Sequence, residues 1–117
     1  MSKQRAKGTR REKGWLPMLQ RIWPDVQRIG NVKGPYDMGD YIGTGDWVVE
    51  SKHADEFSVP AWVRQTAGKA EPELKPWVIF CRADKRKFPW DLAIMPAEQA
   101  AMILEVIEKL TEKWRKP

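Results

Sequence analysis

Asp37-Met38-Gly39-Asp40-Tyr41-Ile42-Gly43-Thr44-Gly45-Asp46-Trp47-Val48-Val49-Glu50-Ser51-Lys52 contains the clearest strand of this chain and the turn that leads into it. Trp47 to Lys52 begins with an aromatic and two β-branched residues, the composition of a half-buried strand. Successive strand residues point to opposite faces. Trp47, Val49 and Ser51 therefore share one face, and Val48, Glu50 and Lys52 the other. Glu50 and Lys52 sit side by side beyond an apolar residue, as at the end of a core strand. Asp40-Tyr41-Ile42 reads as a short strand, and Gly43-Thr44-Gly45-Asp46 as a compact hairpin loop. That hairpin is expected to fold Asp40 back towards Glu50. Gly39 is expected to supply an unusual backbone angle, and Asp37 to hold the turn as an Asx cap.

Upstream, Thr9-x-x-Glu12 fits a capping box that opens a helix. Residues 10–23 place Trp15, Leu16, Leu19, Ile22 and Trp23 at helical spacing. Pro17 should kink or restart that helix, and Trp23-Pro24 ends it. A weak strand is expected within 25–30. Downstream, Val59 to Ala70 reads as a helix with Pro60 in its first turn, and Trp77 to Arg82 as a buried strand. Ala83 to Lys87 reads as a basic turn. Phe88 to Met95 is a last strand, placed at a sheet edge by Pro89. Pro96 starts a helix to about Trp114, with Ile103, Ile107, Leu110 and Trp114 as its apolar stripe. The predicted order is α-β-β-β-α-β-β-α. It implies an α/β (α+β) fold, with a mixed sheet of about five strands flanked by helices.

The chain has 117 residues, 42% of them hydrophobic, with seven tryptophans. That suits one folded domain with a modest core. We expect a basic disordered arm over 1–8 and a single domain over 9–117. No apolar run approaches the roughly 20 residues of a membrane-spanning helix, and no secretory leader is visible. A single cysteine, Cys81, excludes an intrachain disulfide and points to a reducing, cytoplasmic compartment. The net charge of +5 is concentrated at the start. Residues 1–13 carry six basic side chains against Glu12 alone, while the rest carry fifteen of each sign. Such an arm suits a phosphate backbone, with binding that weakens as salt rises. A solubilising tail has the same composition.

Two carboxylates and an ammonium converging on one point suit Mg²⁺-dependent phosphodiester hydrolysis. Mg²⁺ takes oxygen ligands, usually one or two carboxylates plus water and phosphate. It acidifies a bound water and neutralises phosphate charge. A lysine beside it can orient or deprotonate the attacking water. With one histidine and no Cys/His spacing pattern, a zinc site is not expected. The plain structural reading of Glu50 and Lys52 is a surface ion pair, worth under about 1 kcal/mol. Cys81 reads as core. Trp15 and Trp90 flank charged segments and are expected to be exposed.

The ordered set of Glu12 after a basic segment, Asp37 to Asp40, and Glu50-Ser51-Lys52 resembles the PD-(D/E)XK nuclease superfamily. Its nearest likeness is to small Holliday-junction-resolvase-like endonucleases of bacteriophages and archaea, traceable from about residue 8 to 95. The resemblance implies a restriction-endonuclease-like fold and a homodimer in the cytoplasm of a bacterium or a phage-infected host. It also implies DNA as partner, branched or duplex, and Mg²⁺ as cofactor, with Mn²⁺ able to substitute. It assigns Asp40 and Glu50 as metal ligands, joined by the Ser51 carbonyl, and places Lys52 on the nucleophilic water. Asp37 competes with Asp40 as the first acid, and Glu12 would be an additional acid of the site. Gln65 falls where related nucleases place a polar site residue, although a solvated helix face also explains it. His53 could touch a phosphate. Lys7, Arg10, Arg11 and the turn Lys85-Arg86-Lys87 would contact DNA. The alternatives are a nicking or restriction-type nuclease, or a non-catalytic nucleic-acid-binding protein.

Overall fold

The computed structural model describes residues 14–29, 39–53, 58–82 and 90–115. It is an α+β fold. In chain order, α1 (Leu16–Ile22) leads to β1 (Gln27–Arg28), β2 (Tyr41–Ile42) and β3 (Val48–His53). Next come α2 (Val59–Ala70) and a 3-10 turn (Glu71–Glu73), then β4 (Trp77–Arg82), β5 (Asp91–Ile94) and α3 (Ala97–Arg115). The expected order of helices and strands holds. The five strands, however, divide between two sheets, a pair β1-β2 and a trio β3-β4-β5.

The trio is the frame of the molecule. β3 and β4 run parallel, joined by α2 as the crossover, and β5 returns antiparallel along the edge. Alternation along the strands gives each face its own core. Val49 and Val78 pack with Trp15 and Leu19 of the α1 region and with Val26 and Tyr41. Val48, Trp77, Ile79 and Cys81 pack under α2 through Trp62 and Ala70. Cys81 is wholly buried, as its apolar strand implied. Pro17 lies in the first turn of α1 and Pro60 in that of α2, where a missing N–H costs no helical bond.

Three expectations are corrected. The first is the hairpin. β2 does not pair antiparallel with β3; it pairs with β1 through Gln27↔Ile42 and Arg28↔Tyr41. Tyr41 is drawn into the core at 1% exposure, and Gly43 backs onto the Asp25 carbonyl, which a Cβ would meet at 2.6 Å. Those contacts take the chain away from β3 after Asp40. The second is Trp15, which is buried. Its Nε1 donates to Asp91 Oδ2 at 3.3 Å. Trp90 is exposed, as expected. The third is the last helix. α3 contributes no buried residue. Both faces of the trio are already covered, and only the start of α3 reaches it. There the Gln99 side chain donates to the Trp77 carbonyl at 2.8 Å and accepts the Trp77 N–H at 3.3 Å. No described helix is long and apolar enough to cross a membrane.

Candidate metal centre

Parallel pairing fixes which edge of β3 each backbone group faces. Val48 N–H donates to Pro76 O at 2.9 Å, on the β4 side. Val49 and Ser51 therefore turn their N–H and C=O groups to the opposite edge. The segment Gly39-Asp40 occupies that edge. Gly39 bridges Val49 in parallel sense, and Asp40 N–H donates to Val49 O at 3.0 Å. Gly39 has φ +100, and a Cβ there would lie 2.8 Å from the Val49 oxygen. Only glycine passes so close to the strand in that conformation.

One residue on, the Asp40 carboxylate takes the place of a strand carbonyl. Its Oδ2 accepts the Ser51 N–H at 2.7 Å and the Ser51 hydroxyl at 3.3 Å. Asp40 and Glu50 are thus brought together, though by a parallel bridge rather than by a hairpin. By strand alternation the Ser51 carbonyl looks to the same edge as its N–H, beside Asp40.

Glu50 projects from the α2 face of β3 and is 2% exposed. Its partner is Lys69, whose Nζ donates to Glu50 Oε1 from the last turn of α2. Burial, then the charge of Asp40 and a hydrogen bond with it, push Glu50 up to about 8, against the pull of Lys69. Lys52 shares the Glu50 face, is half-buried, and has no carboxylate partner among the described residues.

Asp40, Glu50, Ser51 and Lys52 are therefore neighbours. Gln65 is exposed on α2, on a solvated helix face. Glu12, Asp37, Lys7, Arg10, Arg11, Lys85, Arg86 and Lys87 lie outside the described residues, as does the side chain of His53. Lys69 was not anticipated. Its signal was present: Trp62, Thr66, Lys69 and Ala70 recur at helical spacing, and a helix crossing the Glu50 face must answer a buried acid with a cation.

The donor set suits a hard divalent cation. Two carboxylates, one of them reluctant to ionise beside the other, would be relieved by positive charge between them. Both they and the Ser51 carbonyl offer oxygen. Among the described residues no cluster of three or more His, Cys, Asp or Glu side chains is placed to hold a metal. The cleft of about 660 Å³ lined by Trp23, Trp47, Glu73 and Lys75, among others, contains none of these residues. No family model, curated protein or solved structure matches the chain.

Proposed function

We propose that this protein is a Mg²⁺-dependent DNA endonuclease acting on branched or duplex DNA, resolvase-like in its substrate. The observation that supports it best is the Asp40–Glu50 carboxylate pair at the edge of β3, with Lys52 on the Glu50 face. Mg²⁺, or Mn²⁺ in its place, would supply charge neutralisation on the phosphate and an acidified water. Asp40, Glu50 and the Ser51 carbonyl would hold it. Lys52 would orient the attacking water and balance charge on the phosphate. Lys69 would fix the Glu50 carboxylate in one orientation. Ser51, by donating twice to Asp40, would fix the other. Lys7, Arg10, Arg11 and Lys85-Arg86-Lys87 would grip the DNA backbone, and Glu12 would join the acids.

The test is incubation of labelled four-way-junction and linear duplex DNA with Mg²⁺ or EDTA, beside Glu50→Gln. Symmetric Mg²⁺-dependent cuts in the junction, lost in the variant, are expected. Equal cutting of both substrates would keep the nuclease and remove the junction preference. One observation favours a second reading, a non-catalytic DNA-binding protein. Glu50 already has a cation in Lys69, and a buried ion pair can be purely structural. Salt-sensitive binding with no cutting in Mg²⁺ or Mn²⁺ would select that reading.

A further inference from the structure

Trp23 and Trp47 form an aromatic corner just before β3. Their ring centroids are 6.2 Å apart and their planes are tilted by 56°. With Asp46, Glu73, Leu74 and Lys75 they line the cleft of about 660 Å³, within the roughly 300–1,000 Å³ of ligand sites. Trp47 precedes Ser51 by four residues, about 13 Å of strand, and the cleft shares no residue with the Asp40–Glu50 pair.

Local structure holds both walls. On one, the Trp47 N–H donates to the Thr44 carbonyl at 3.1 Å and the Thr44 hydroxyl donates to the Trp47 carbonyl at 2.8 Å, which fixes Asp46 inside a closed turn. Gly45 leaves the Trp23 indole nitrogen uncovered, with room for no more than a Cβ at 3.6 Å from Nε1. On the other wall, the Leu74 N–H donates to the Glu71 carbonyl and the Lys75 N–H to the Ala70 carbonyl, each at 3.0 Å. These bonds hold Leu74 at φ 54, 93% exposed. Lys75 pairs with Glu73 at 2.8 Å. Asp46 has no partner among the described residues, so the cleft carries one uncompensated carboxylate.

We propose that this cleft binds the guanidinium group of an arginine side chain in a partner peptide. Charge is the first reason. An unpaired carboxylate and two indoles in one cleft suit a single organic cation, and they repel phosphate, although the chain as a whole carries +5. Shape is the second. The two indoles touch each other, so no flat ring fits between them, and the face that each turns to the cleft is what a ligand can use. A guanidinium stacks flat on such a face while its N–H fork reaches a carboxylate. An ammonium is compact and more strongly hydrated, and gains less in an open cleft. Size is the third. The cleft is larger than one side chain needs, and Leu74 offers apolar surface to the residue beside the arginine. None of these observations depends on the proposed activity.

The test is nitrogen-15 NMR of the full chain, following its seven tryptophan indole N–H signals, with those of the corner assigned through Trp23→Phe and Trp47→Phe. N-acetyl-arginine methylamide is expected to move the Trp23 and Trp47 signals saturably, with a dissociation constant of about 1–10 mM. The buried Trp62 and Trp77 signals should stay in place. The citrulline counterpart has the same shape without the charge and should give no saturable shift. Asp46→Asn should weaken arginine about fivefold or more. Asp46 is exposed, so the rest of that variant's spectrum should match wild type. N-acetyl-leucyl-arginine methylamide should bind about threefold tighter or more than the single residue. Equal shifts from citrulline, equal affinity for the lysine counterpart, unchanged affinity in Asp46→Asn, or no shift up to about 50 mM would each overturn the proposal. Saturation by glucose with none by arginine would overturn it too, making the corner a sugar platform.

Discussion

Lys69 reaches across from the last turn of α2 to Oε1 of Glu50 on β3, and the pair ties the crossover helix to the one buried carboxylate of the described sheet. Lys69 is about one-quarter exposed and Glu50 almost wholly buried, so the two contribute unequally. Removing the lysine leaves an acid in an apolar setting. Lys69→Met should destabilise the fold by roughly 2 kcal/mol near pH 9.5, where Glu50 of the wild type is ionised, measured by urea unfolding. At pH 5, where Glu50 holds its proton, the loss should shrink to under about 1 kcal/mol. In Lys69→Met/Glu50→Leu no charge is left to satisfy, and most of the stability should return. Equal losses at both pH values would show that Lys69 acts by packing alone.

Glu50 makes the fold sensitive to pH, and the sign follows from the direction of its shift. Its ordinary pKa of 4.5 rises to about 8 in the fold, through burial first and Asp40 next. Between those values the folded chain holds a proton that the unfolded chain has lost. Stability from this group is therefore fully present below about 4.5 and is lost as pH rises through about 8. Glu50→Gln keeps an acceptor for Lys69 and removes the titration. Its stability should vary less across that window, and at pH 8.5 it should exceed wild type by about 2 kcal/mol or more. A variant that tracks wild type at every pH would place the ordinary pKa back on Glu50.

Much of this arrangement was legible from residue order, and the exceptions share a cause. The start of α2 and the limits of β4 follow from Pro60 and from the run Trp77 to Arg82, both local signals, whereas Pro89, on which the expected edge position of the last strand rested, lies outside the described residues. The faces of β3 follow from period-two alternation, which places Val48 and Val49 in separate cores. The partner of β2 is set by competition. Both β1 and β3 offer an edge, and the burial of Tyr41 beside Val26 decides for β1. Lys69 is 19 residues from Glu50, and its role appears only once α2 is laid on the strand. The stripe of α3 was visible, but periodicity tells that a face is apolar, not what covers it.

Gly39 should be as hard to replace as any exposed-loop glycine is easy. A Cβ there would lie 2.8 Å from the Val49 oxygen at φ +100, so strain and collision add. Gly39→Ala should cost roughly 2–3 kcal/mol. Because the same backbone places Asp40, the variant should also lose any affinity for Mg²⁺. Gly68 is the control: it lies in α2, and a Cβ added there would meet nothing within 4 Å. Gly68→Ala should be neutral or stabilising by up to about 1 kcal/mol. Similar unfolding midpoints for the two variants would show that the Gly39 bridge yields at little cost.

Divalent cations give the carboxylate pair a readout that needs no DNA. If Asp40, Glu50 and the Ser51 carbonyl hold Mg²⁺, the cation should raise the melting temperature by several degrees at concentrations well above its dissociation constant. The rise should be larger at pH 8.5 than at pH 6, because binding must displace the proton that Glu50 retains. Asp40→Asn can still accept the Ser51 N–H but lacks the charge, and should abolish the shift while leaving the cation-free melting temperature within a few degrees of wild type. Lys52→Ala should keep the shift, since its ammonium is not a ligand, yet lose cleavage by about a hundredfold or more. That split separates the acids from the lysine. A shift that survives in Asp40→Asn would move the cation elsewhere, and full cleavage by Lys52→Ala would remove the lysine from the chemistry.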